Sequence, residues 1–391
     1  MSRSAPPVAL ALACLVTMCR ERPSGSLSGF PAVDAGPDLY APVRQPVTLT
    51  ARVAIGGSSG AWTVSWGDSA VDTAPLDSGS ALVTATHRYT KPGAFAVRVG
   101  VIGANGRTAS DTLTAIVAAP GTPQVFVGAG DIAQCSAPDA AATARILDTV
   151  PGTVFALGDN AYPDGSARDY ATCYAPTWGR HKKRTRPVPG NHDWGWRGAP
   201  GYFGYFGVAA GDPARGYYSY DLGAWHIAAL NDNIDMRPGS PQEQWLRADL
   251  AAHPARCTLA YWHAPRFSSG TTHGSDPMTQ PLWQALYDAG ADVVLAGHEH
   301  NYERFAPQAP DGTLDSARGI REFVAGTGGG TAYRFGPPIA HSEVRSMDHG
   351  VLKLTLGEGD YHWEFIPVSG SSAFGDSGTA RCHGARRVER P

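Results

Sequence analysis

The chain has 391 residues, of which 42% are hydrophobic and 17% charged, and its formal net charge is −3. This length is enough for two or three domains. The charge balance shows neither the basic excess typical of nucleic-acid binding nor the acidic runs typical of disorder. The 47 glycines and 31 prolines favour a loop-rich β or α/β protein over a helical bundle.

The N-terminus has the pattern of an export signal. Arg3 precedes an apolar stretch at residues 8–18 that is too short to span a bilayer, and we predict a signal peptide over residues 1–23. We therefore expect a secreted, periplasmic or cell-surface protein with no transmembrane span after signal removal. Lipid attachment at Cys19 or Cys14 is the less favoured alternative, because a bulky methionine precedes Cys19.

Residues 24–32 form a predicted linker, and residues 33–118 form a predicted all-β domain. Apolar residues alternate with polar or small ones from Val47 to Val53 and from Phe95 to Val101, which is the period-two pattern of half-buried strands. The segment resembles a PKD domain, an immunoglobulin-like β-sandwich. The resemblance rests on Ala35-Gly36-Pro37-Asp38, Trp66-Gly67-Asp68, His87-Arg88-Tyr89, Gly93 and Phe95. Since no cluster of catalytic residue types lies within it, we interpret it as a spacer or as a module that contacts a cell surface or carbohydrate.

Beyond a linker at residues 119–123, a βα rhythm predicts an α/β domain over residues 124–370. Residues 371–391 are interpreted as a tail tied by a disulfide. The predicted strands are Val125–Gly130, Val154–Leu157, Trp225–Leu230, Leu259–Trp262 and Val293–Ala296, with further strands between Glu322 and Phe365. The predicted helices, each with proline at its first position, are Pro138–Thr149, Pro241–Ala252 and Pro281–Ala289.

Residue types that bind metals follow several of these strands. The segments are Gly130-Asp131, Gly158-Asp159-Asn160-Ala161-Tyr162, Gly190-Asn191-His192-Asp193, His263-Ala264-Pro265 and Gly297-His298-Glu299-His300-Asn301-Tyr302-Glu303-Arg304. The carboxyl ends of strands in open α/β sheets are where sites assemble. We expect the glycine before each Asp, Asn or His to let the backbone turn sharply and approach a bound anion closely. One such segment is an ordinary turn, but five in this order indicate a shared site.

The set resembles the metallophosphoesterase signature of the calcineurin-like superfamily. Ala133 stands where many members have a histidine ligand, and Tyr162 follows Asp159 at a spacing that resembles the purple acid phosphatases specifically. Asp193 departs from the glutamate that is more usual in that family, and Ile132-Ala133 departs from a stretch where glycine is common. The resemblance implies a four-layer α-β-β-α domain preceded by the all-β immunoglobulin-like sandwich.

The resemblance also implies the ligands of two metal ions. Asp131, Asp159, Tyr162 and His300 would hold the first ion, and Asp159 would bridge to a second ion held by Asn191, His263 and His298. Hard oxygen ligands, tyrosinate especially, suit Fe³⁺ in the first position. Imidazoles and a neutral amide suit Zn²⁺, Mn²⁺ or Fe²⁺ in the second.

The implied activity is hydrolysis of small phosphomonoesters by direct attack of a metal-bound hydroxide. His192 would contact the phosphoryl group. His273, ten residues after His263, would act as general acid or phosphate clamp, with Asp193 orienting His192. Alternatives are a phosphodiesterase or nucleotidase on the same metals, and a non-catalytic surface-binding protein with a degenerate phosphatase domain. The complete ligand set argues against the last.

Four cysteines remain after the signal, which suggests two disulfides in an exported chain. Of the three pairings, we favour Cys135–Cys173 and Cys257–Cys382, because the first would join two loops beside the site.

The basic run Lys182, Lys183, Arg184 and Arg186 is interpreted as a solvated loop, with guidance of an anionic substrate as the alternative. The aromatic stretch 194–206 would line a pocket or pack under a loop, and Gly326–Gly330 would bring backbone near the metals.

Overall fold

The structure, a computed structural model, describes residues 30–57, 59–77, 79–104, 106–195, 198–368 and 374–384. The predicted signal peptide and the first six residues of the predicted 24–32 linker lie outside these residues. In the described part of the chain, no helix is long and apolar enough to cross a membrane.

The N-terminal part is a sandwich of two sheets. Its strands are β1 (Ala32–Asp34), β2 (Leu39–Pro42), β3 (Pro46–Ala54), β4 (Gly60–Ser65), β5 (Val71–Leu76), β6 (Ser80–Arg88), β7 (Gly93–Gly103) and β8 (Thr108–Ala118). One sheet has the order β1-β3-β6 and the other β2-β8-β7-β4-β5. Val47, Leu49, Ala51 and Val53 all point into the core, so the period-two pattern predicted the buried face of β3 correctly.

The residues that suggested a PKD domain lie in and around this core. Trp66 is fully buried, and its carbonyl accepts a hydrogen bond from the Tyr89 hydroxyl at 2.8 Å. The His87 ring stacks on Trp66 and pairs with Asp68 at 2.7 Å. These contacts join the β4–β5 turn to the end of β6, so the motif stabilises the sandwich.

Among the described residues, the second part contains the remaining strands and six helices. The strands are β9 (Gln124–Ala129), β10 (Thr153–Leu157), β11 (Thr185–Val188), β12 (Tyr218–Leu222), β13 (Trp225–Ala229), β14 (Cys257–Tyr261), β15 (Val293–Ala296), β16 (Tyr302–Phe305), β17 (Arg321–Ala325), β18 (Ser342–Ser346), β19 (Gly350–Leu356), β20 (Asp360–Pro367) and β21 (Asp376–Arg381). The helices are α1 (Asp139–Thr149), α2 (Ala167–Asp169), α3 (Asn191–Trp194), α4 (Pro200–Phe206), α5 (Pro241–Ala252) and α6 (Gln280–Ala289). A π-helical turn at Tyr170–Tyr174 and 3₁₀ turns at Trp178–Arg184, Gly207–Ala210 and Pro277–Thr279 complete it.

These elements form four layers. One sheet has the order β11-β10-β9-β19-β20-β21 and the other β12-β13-β14-β15-β17-β16-β18. Side chains of both sheets, including Phe126, Phe155, Leu259 and Leu295, share one buried core. Helix α1 packs on the outer face of the first sheet, and α5 and α6 pack on the outer face of the second. The predicted α-β-β-α arrangement is confirmed.

The C-terminal segment interpreted as a tail is a strand. Residues of β21 pair antiparallel with β20 along its whole length, and Cys382 follows directly. Its sequence gave no strand signal because β21 is an edge strand of small and polar residues, most of them accessible to solvent.

The basic run connects the two parts of the chain. The Lys183 ammonium lies 2.6 Å from Asp111 of the sandwich, and Arg186 donates to the Asp38 carbonyl at 2.8 Å. Arg184 instead donates to three carbonyls near the end of α1. Our interpretation as a solvated loop was wrong: Lys183 and Arg184 belong to the 3₁₀ turn before β11, Arg186 lies in β11, and Lys183 and Arg186 attach the sandwich.

Candidate metal centre

The candidate residues meet where the two sheets face each other. Strands β9 and β10 run parallel in one sheet, and β14 and β15 run parallel in the other. Asp131, Asp159, His263 and His298 each come one or two residues after one of these strands. Asp131 (φ 58°), Asp159 (φ 48°) and His298 (φ 68°) have left-handed backbones. Such strain in non-glycine residues is characteristic of functional sites.

Glycine precedes the candidate residues at four places, Gly130, Gly158, Gly190 and Gly297. Of these four glycines, only Gly158 has a left-handed backbone (φ 83°). A Cβ on Gly297 would lie 2.7 Å from an Asp131 carboxylate oxygen, and one on Gly190 would overlap Asp159. The expectation of a sharp turn holds at Gly158 but not at Gly130, Gly190 or Gly297; after Gly130 and Gly297 the left-handed backbone falls on the following residue, Asp131 or His298.

Four donor atoms form a first group around the end of β9. The Tyr162 hydroxyl lies 3.0 Å from Asp131 Oδ1, 3.2 Å from Asp159 Oδ2 and 3.0 Å from His300 Nε2. His300 Nε2 is in turn 3.2 Å from Asp131 Oδ1. Ligand atoms around one ion at bond lengths near 2 Å are separated by about 3 Å, so this spacing fits a single ion.

A second group lies beside it and shares one atom with the first. His263 Nε2 is 3.1 Å from Asn191 Oδ1, 3.1 Å from His298 Nδ1 and 3.4 Å from Asp159 Oδ2. Asp159 Oδ2 thus faces both groups. Its other oxygen accepts the His192 backbone N–H at 2.8 Å, and the second oxygen of Asp131 accepts the His298 N–H at 2.7 Å. Each carboxylate therefore uses one oxygen to accept a backbone N–H and directs the other toward the donor groups.

The hydrogen bonds behind the donors prepare the histidines for metal ions. Nδ1 of His263 faces the Leu157 carbonyl at 2.7 Å, and Nδ1 of His300 faces the Thr331 carbonyl at 2.8 Å. A carbonyl only accepts, so each Nδ1 carries a proton and each Nε2, which faces the group, is the nitrogen that could bind a metal ion. Carboxylate, phenol, amide and imidazole groups that converge at this spacing are ligands that metal ions use in proteins, and the donor set fits one ion in each group.

Charge in the site leads to the same conclusion. Burial opposes ionisation of Asp131, but the charges of His300 and His263 hold its pKa below the ordinary value. Burial, together with the Asp131 and Asp159 carboxylates, raises the pKa of Tyr162 well above its ordinary value. Burial and the neighbouring His263 and His273 lower the pKa of His298 to about 3. The phenol thus keeps its proton unless cations replace it, while His298 is neutral and able to bind a metal.

The two candidate catalytic histidines lie at the rim of these groups. His192 directs Nδ1 at the Pro163 carbonyl at 2.6 Å, and its Nε2 lies 3.9 Å from Asp159 Oδ2. The exposed His273 ring stacks on His298 with 3.8 Å between centroids. His192 is next to the first group and His273 is next to the second, so both can contact a ligand that spans the two.

Comparison with known proteins identifies the fold family. The calcineurin-like phosphoesterase family matches residues 98–302, more than half of the chain. The chain belongs to the calcineurin-like phosphoesterases. The PKD domain family matches residues 32–117. The first residues of the phosphoesterase match overlap it, and the structure assigns those residues to β7 and β8 of the sandwich.

Relatives of this phosphoesterase include purple acid phosphatases, as the sequence predicted. Purple acid phosphatase 22 of Arabidopsis thaliana is 34% identical over 160 residues, which cover 38% of this chain and 36% of that protein. A nucleotide pyrophosphatase/phosphodiesterase of Hordeum vulgare is 25% identical over 248 residues, 52% of this chain and 64% of that one. The chain thus spans about a third of the length of the first of these relatives.

A solved structure shares the fold of this phosphoesterase. The purple acid phosphatase from yellow lupin (Lupinus luteus) seeds superposes with a TM-score of 0.61 at 18% identity, covering 90% of this chain and 74% of that one. At this identity the likeness concerns the fold alone.

Asp193 of this phosphoesterase has a different position from the one we expected. Its oxygens accept hydrogen bonds from the Tyr170 hydroxyl at 2.6 Å, from the Asn160 amide nitrogens and from Gly190 N–H at 3.0 Å. His192 instead faces Pro163 and Asp159, so the expectation that Asp193 orients His192 was wrong. Asp193 joins the loops after β10 and β11 and thereby fixes Asp159 relative to Asn191.

Two residues at the centre were missed from the sequence. The Tyr333 ring stacks on His300 at 3.9 Å, and its backbone N–H donates to the His300 carbonyl. Glu299, between two donor histidines, is fully buried under the loop that carries His273. The only signal for Tyr333 was its position after the glycine segment, whose Gly330 N–H donates to the Asp131 carbonyl at 2.7 Å. That segment does contact the candidate centre, as expected.

The remaining sequence expectations concern packing and disulfides. Tyr202, Phe203 and Phe206 of the aromatic stretch form the buried face of α4 and pack into the core on the outer face of the first sheet. Disulfides join Cys135 to Cys173 and Cys257 to Cys382, the favoured pairing. The first connects the loop after Asp131 to the π-helical turn that follows Tyr162.

Proposed function

We propose that this protein is an exported two-metal phosphatase, similar to acid phosphatases, that hydrolyses phosphomonoesters. The observation that supports the proposal most is the position of Asp159 Oδ2, which lies 3.2 Å from one donor group and 3.4 Å from the other. A shared carboxylate oxygen can hold two ions at the separation of about 3.5–4 Å that two-metal phosphoester hydrolysis uses. The family membership and the purple acid phosphatase relatives are consistent with this reading.

The donor groups divide the ligands between two ions. Asp131, Asp159, Tyr162 and His300 would hold Fe³⁺, because three hard oxygens and one imidazole suit a trivalent ion. The second ion, Zn²⁺, Mn²⁺ or Fe²⁺, would be held by Asn191, His263, His298 and the shared carboxylate. When bound, these ions polarise the phosphoryl oxygens and supply a nucleophile from water near neutral pH.

The two rim histidines would act on the substrate itself. His192 Nδ1 donates to the Pro163 carbonyl, so its Nε2 is the nitrogen that faces a phosphoryl oxygen. His273 is accessible to solvent and stacks on His298, where it can give a proton to the departing alkoxide. The expected consequence is a greater dependence on His273 for substrates with poor leaving groups.

Two alternatives remain open, and each has a distinguishing observation. The barley relative is named a nucleotide pyrophosphatase/phosphodiesterase, and a diesterase would use the same donors. A non-catalytic surface-binding protein would not need seven convergent donor atoms.

Export is supported by two disulfides, which persist in oxidising compartments.

The test compares hydrolysis of 4-nitrophenyl phosphate and bis(4-nitrophenyl) phosphate by the wild type and by His298→Ala. We expect the monoester to be preferred and the substitution to lower kcat/KM by several orders of magnitude, about 10³-fold or more, because one ion loses a ligand. His362→Ala, a histidine in β20 that contacts Thr379, is the matched control. Preference for the diester would favour the alternative enzyme, and near-normal turnover by His298→Ala would refute the metal model.

A further inference from the structure

The loop that carries His273 is attached to the protein by three buried glutamates. Glu299, Glu303 and Glu322 are all 0% exposed. Glu322 accepts the backbone N–H groups of Arg266 and Phe267 at 2.8 and 2.9 Å. These two contacts fix the start of the loop after β14.

The middle and the end of the loop are held by the other two glutamates. Glu303 accepts the Ser269 N–H at 2.7 Å and also its hydroxyl. Glu299 Oε1 accepts the N–H groups of His273 and Gly274, each at 2.6 Å. Five backbone amides of one short loop therefore donate to buried glutamate carboxyl groups, which fix the loop at its start, middle and end.

Glu299 is the member of this set that acts next to the centre. The flanking His298 and His300 face the donor groups, while the Glu299 carboxylate faces the loop. A Cβ on Gly270 would overlap the Glu299 carboxylate. Loop and carboxylate therefore fit closely, and the loop cannot shift toward Glu299.

The contact leaves part of the carboxylate unused. Glu299 Oε2 is buried and has no hydrogen-bond partner among the described residues. The N–H groups of His273 and Gly274 converge on Oε1 alone, so this single oxygen holds the backbone beside the His273 ring.

From these contacts we propose that Glu299 is a positioning residue, which fixes the backbone at His273 and Gly274 so that the His273 imidazole lies against His298. The kinetic part of the proposal rests on the proposed phosphatase function. The loop geometry stands independently of that function. Glu299 does not touch substrate in this account and acts only through His273.

Hydrogen–deuterium exchange tests the geometry without reference to activity. In the wild type, the amides of His273 and Gly274 should be protected, and Glu299→Ala should speed their exchange at least tenfold. Glu303→Ala should instead loosen the Ser269 amide, and Glu364→Ala, a surface glutamate paired with Lys353, should change neither. Fast exchange of both amides in the wild type would overturn the proposal.

A double-mutant cycle tests the kinetic part with phenyl phosphate, whose leaving group needs a proton. In the wild-type background, we expect Glu299→Ala to lower kcat by about 10- to 100-fold, which is the range that misplacement of a catalytic group costs. In a His273→Ala background, the same substitution should change kcat by less than about threefold. Glu299→Gln keeps an acceptor oxygen and should recover most of the rate. Equal losses with and without His273 would overturn the positioning role.

The outcomes separate the two claims. If the wild type protects both amides but hydrolyses no phosphate ester, the proposed function fails and the positioning geometry stands. If the wild type is active but Glu299→Ala leaves exchange unchanged, the function stands and the positioning role fails. Metal content and melting temperature measured on every variant exclude loss of ions or of the fold as the cause.

Discussion

A histidine far from the candidate centre should make the stability of this protein depend on pH. His226 of β13 is 1% exposed, and its two ring nitrogens each lie 2.9 Å from a carboxylate, Asp221 of β12 and Asp249 of α5. Burial alone would lower the pKa of His226, but the two carboxylates raise it from 6.5 to about 9. The charged imidazolium therefore joins two strands and a helix.

The magnitude follows from the shift. Each pKa unit corresponds to about 1.4 kcal/mol, so His226 contributes at most roughly 3 kcal/mol. Solvent screens the exposed Asp221, and we expect about 2 kcal/mol in practice. Because the folded-state pKa is raised, this contribution is complete below pH 6.5 and is lost as the pH rises through about 9.

Urea unfolding of the wild type and His226→Gln at two pH values measures this contribution. The quantity compared is the free energy of unfolding of the wild type minus that of the variant. We expect this difference to be about 2 kcal/mol larger at pH 6 than at pH 9.5. The matched control, His362→Gln, should show the same difference at both pH values. A difference that stays constant, or grows with pH, would refute the ion-pair argument.

Two further substitutions test the donor groups. Tyr162→Phe should abolish the visible charge-transfer band and weaken binding of the first metal ion. Tyr333→Phe, the control, changes a nearby tyrosine that stacks on His300 and should retain the band. A band that survives in Tyr162→Phe would exclude the tyrosinate. Gly326→Ala should lower metal retention and activity at least tenfold, because its Cβ would lie 2.6 Å from an Asp131 oxygen. Gly204→Ala, where a Cβ meets nothing within 4 Å, is the control, and full metal content in Gly326→Ala would contradict the packing argument.

Much of the fold could be predicted from local patterns. Five strands were predicted to begin at residues 125, 154, 225, 259 and 293. Their predicted ends lie within two residues of the ends of β9, β10, β13, β14 and β15. Alternation and short apolar runs report burial directly, so these elements were visible in the sequence. The seven candidate donors lie together in the structure because each follows a strand whose end reaches the same edge.

What the sequence did not reveal depends on long-range contacts. Nothing near Lys183 indicates that Asp111 will face it across a domain boundary. Glu299 looked like a spacer between two histidines, because its partners at His273 and Gly274 are about 25 residues away in sequence. Edge strand β21 lacks an apolar period because solvent covers most of it. Local periodicity carries no information about such partners.

Metal content, measured together with the visible spectrum of the purified protein, tests the central claim most directly. The shared position of Asp159 predicts about two ions per chain, and the Tyr162 phenol predicts that one of them is iron, with a broad visible absorption band. Two colourless divalent ions would keep the two-metal centre and remove the iron–tyrosinate assignment. A chain that binds no metal after careful reconstitution would contradict the account.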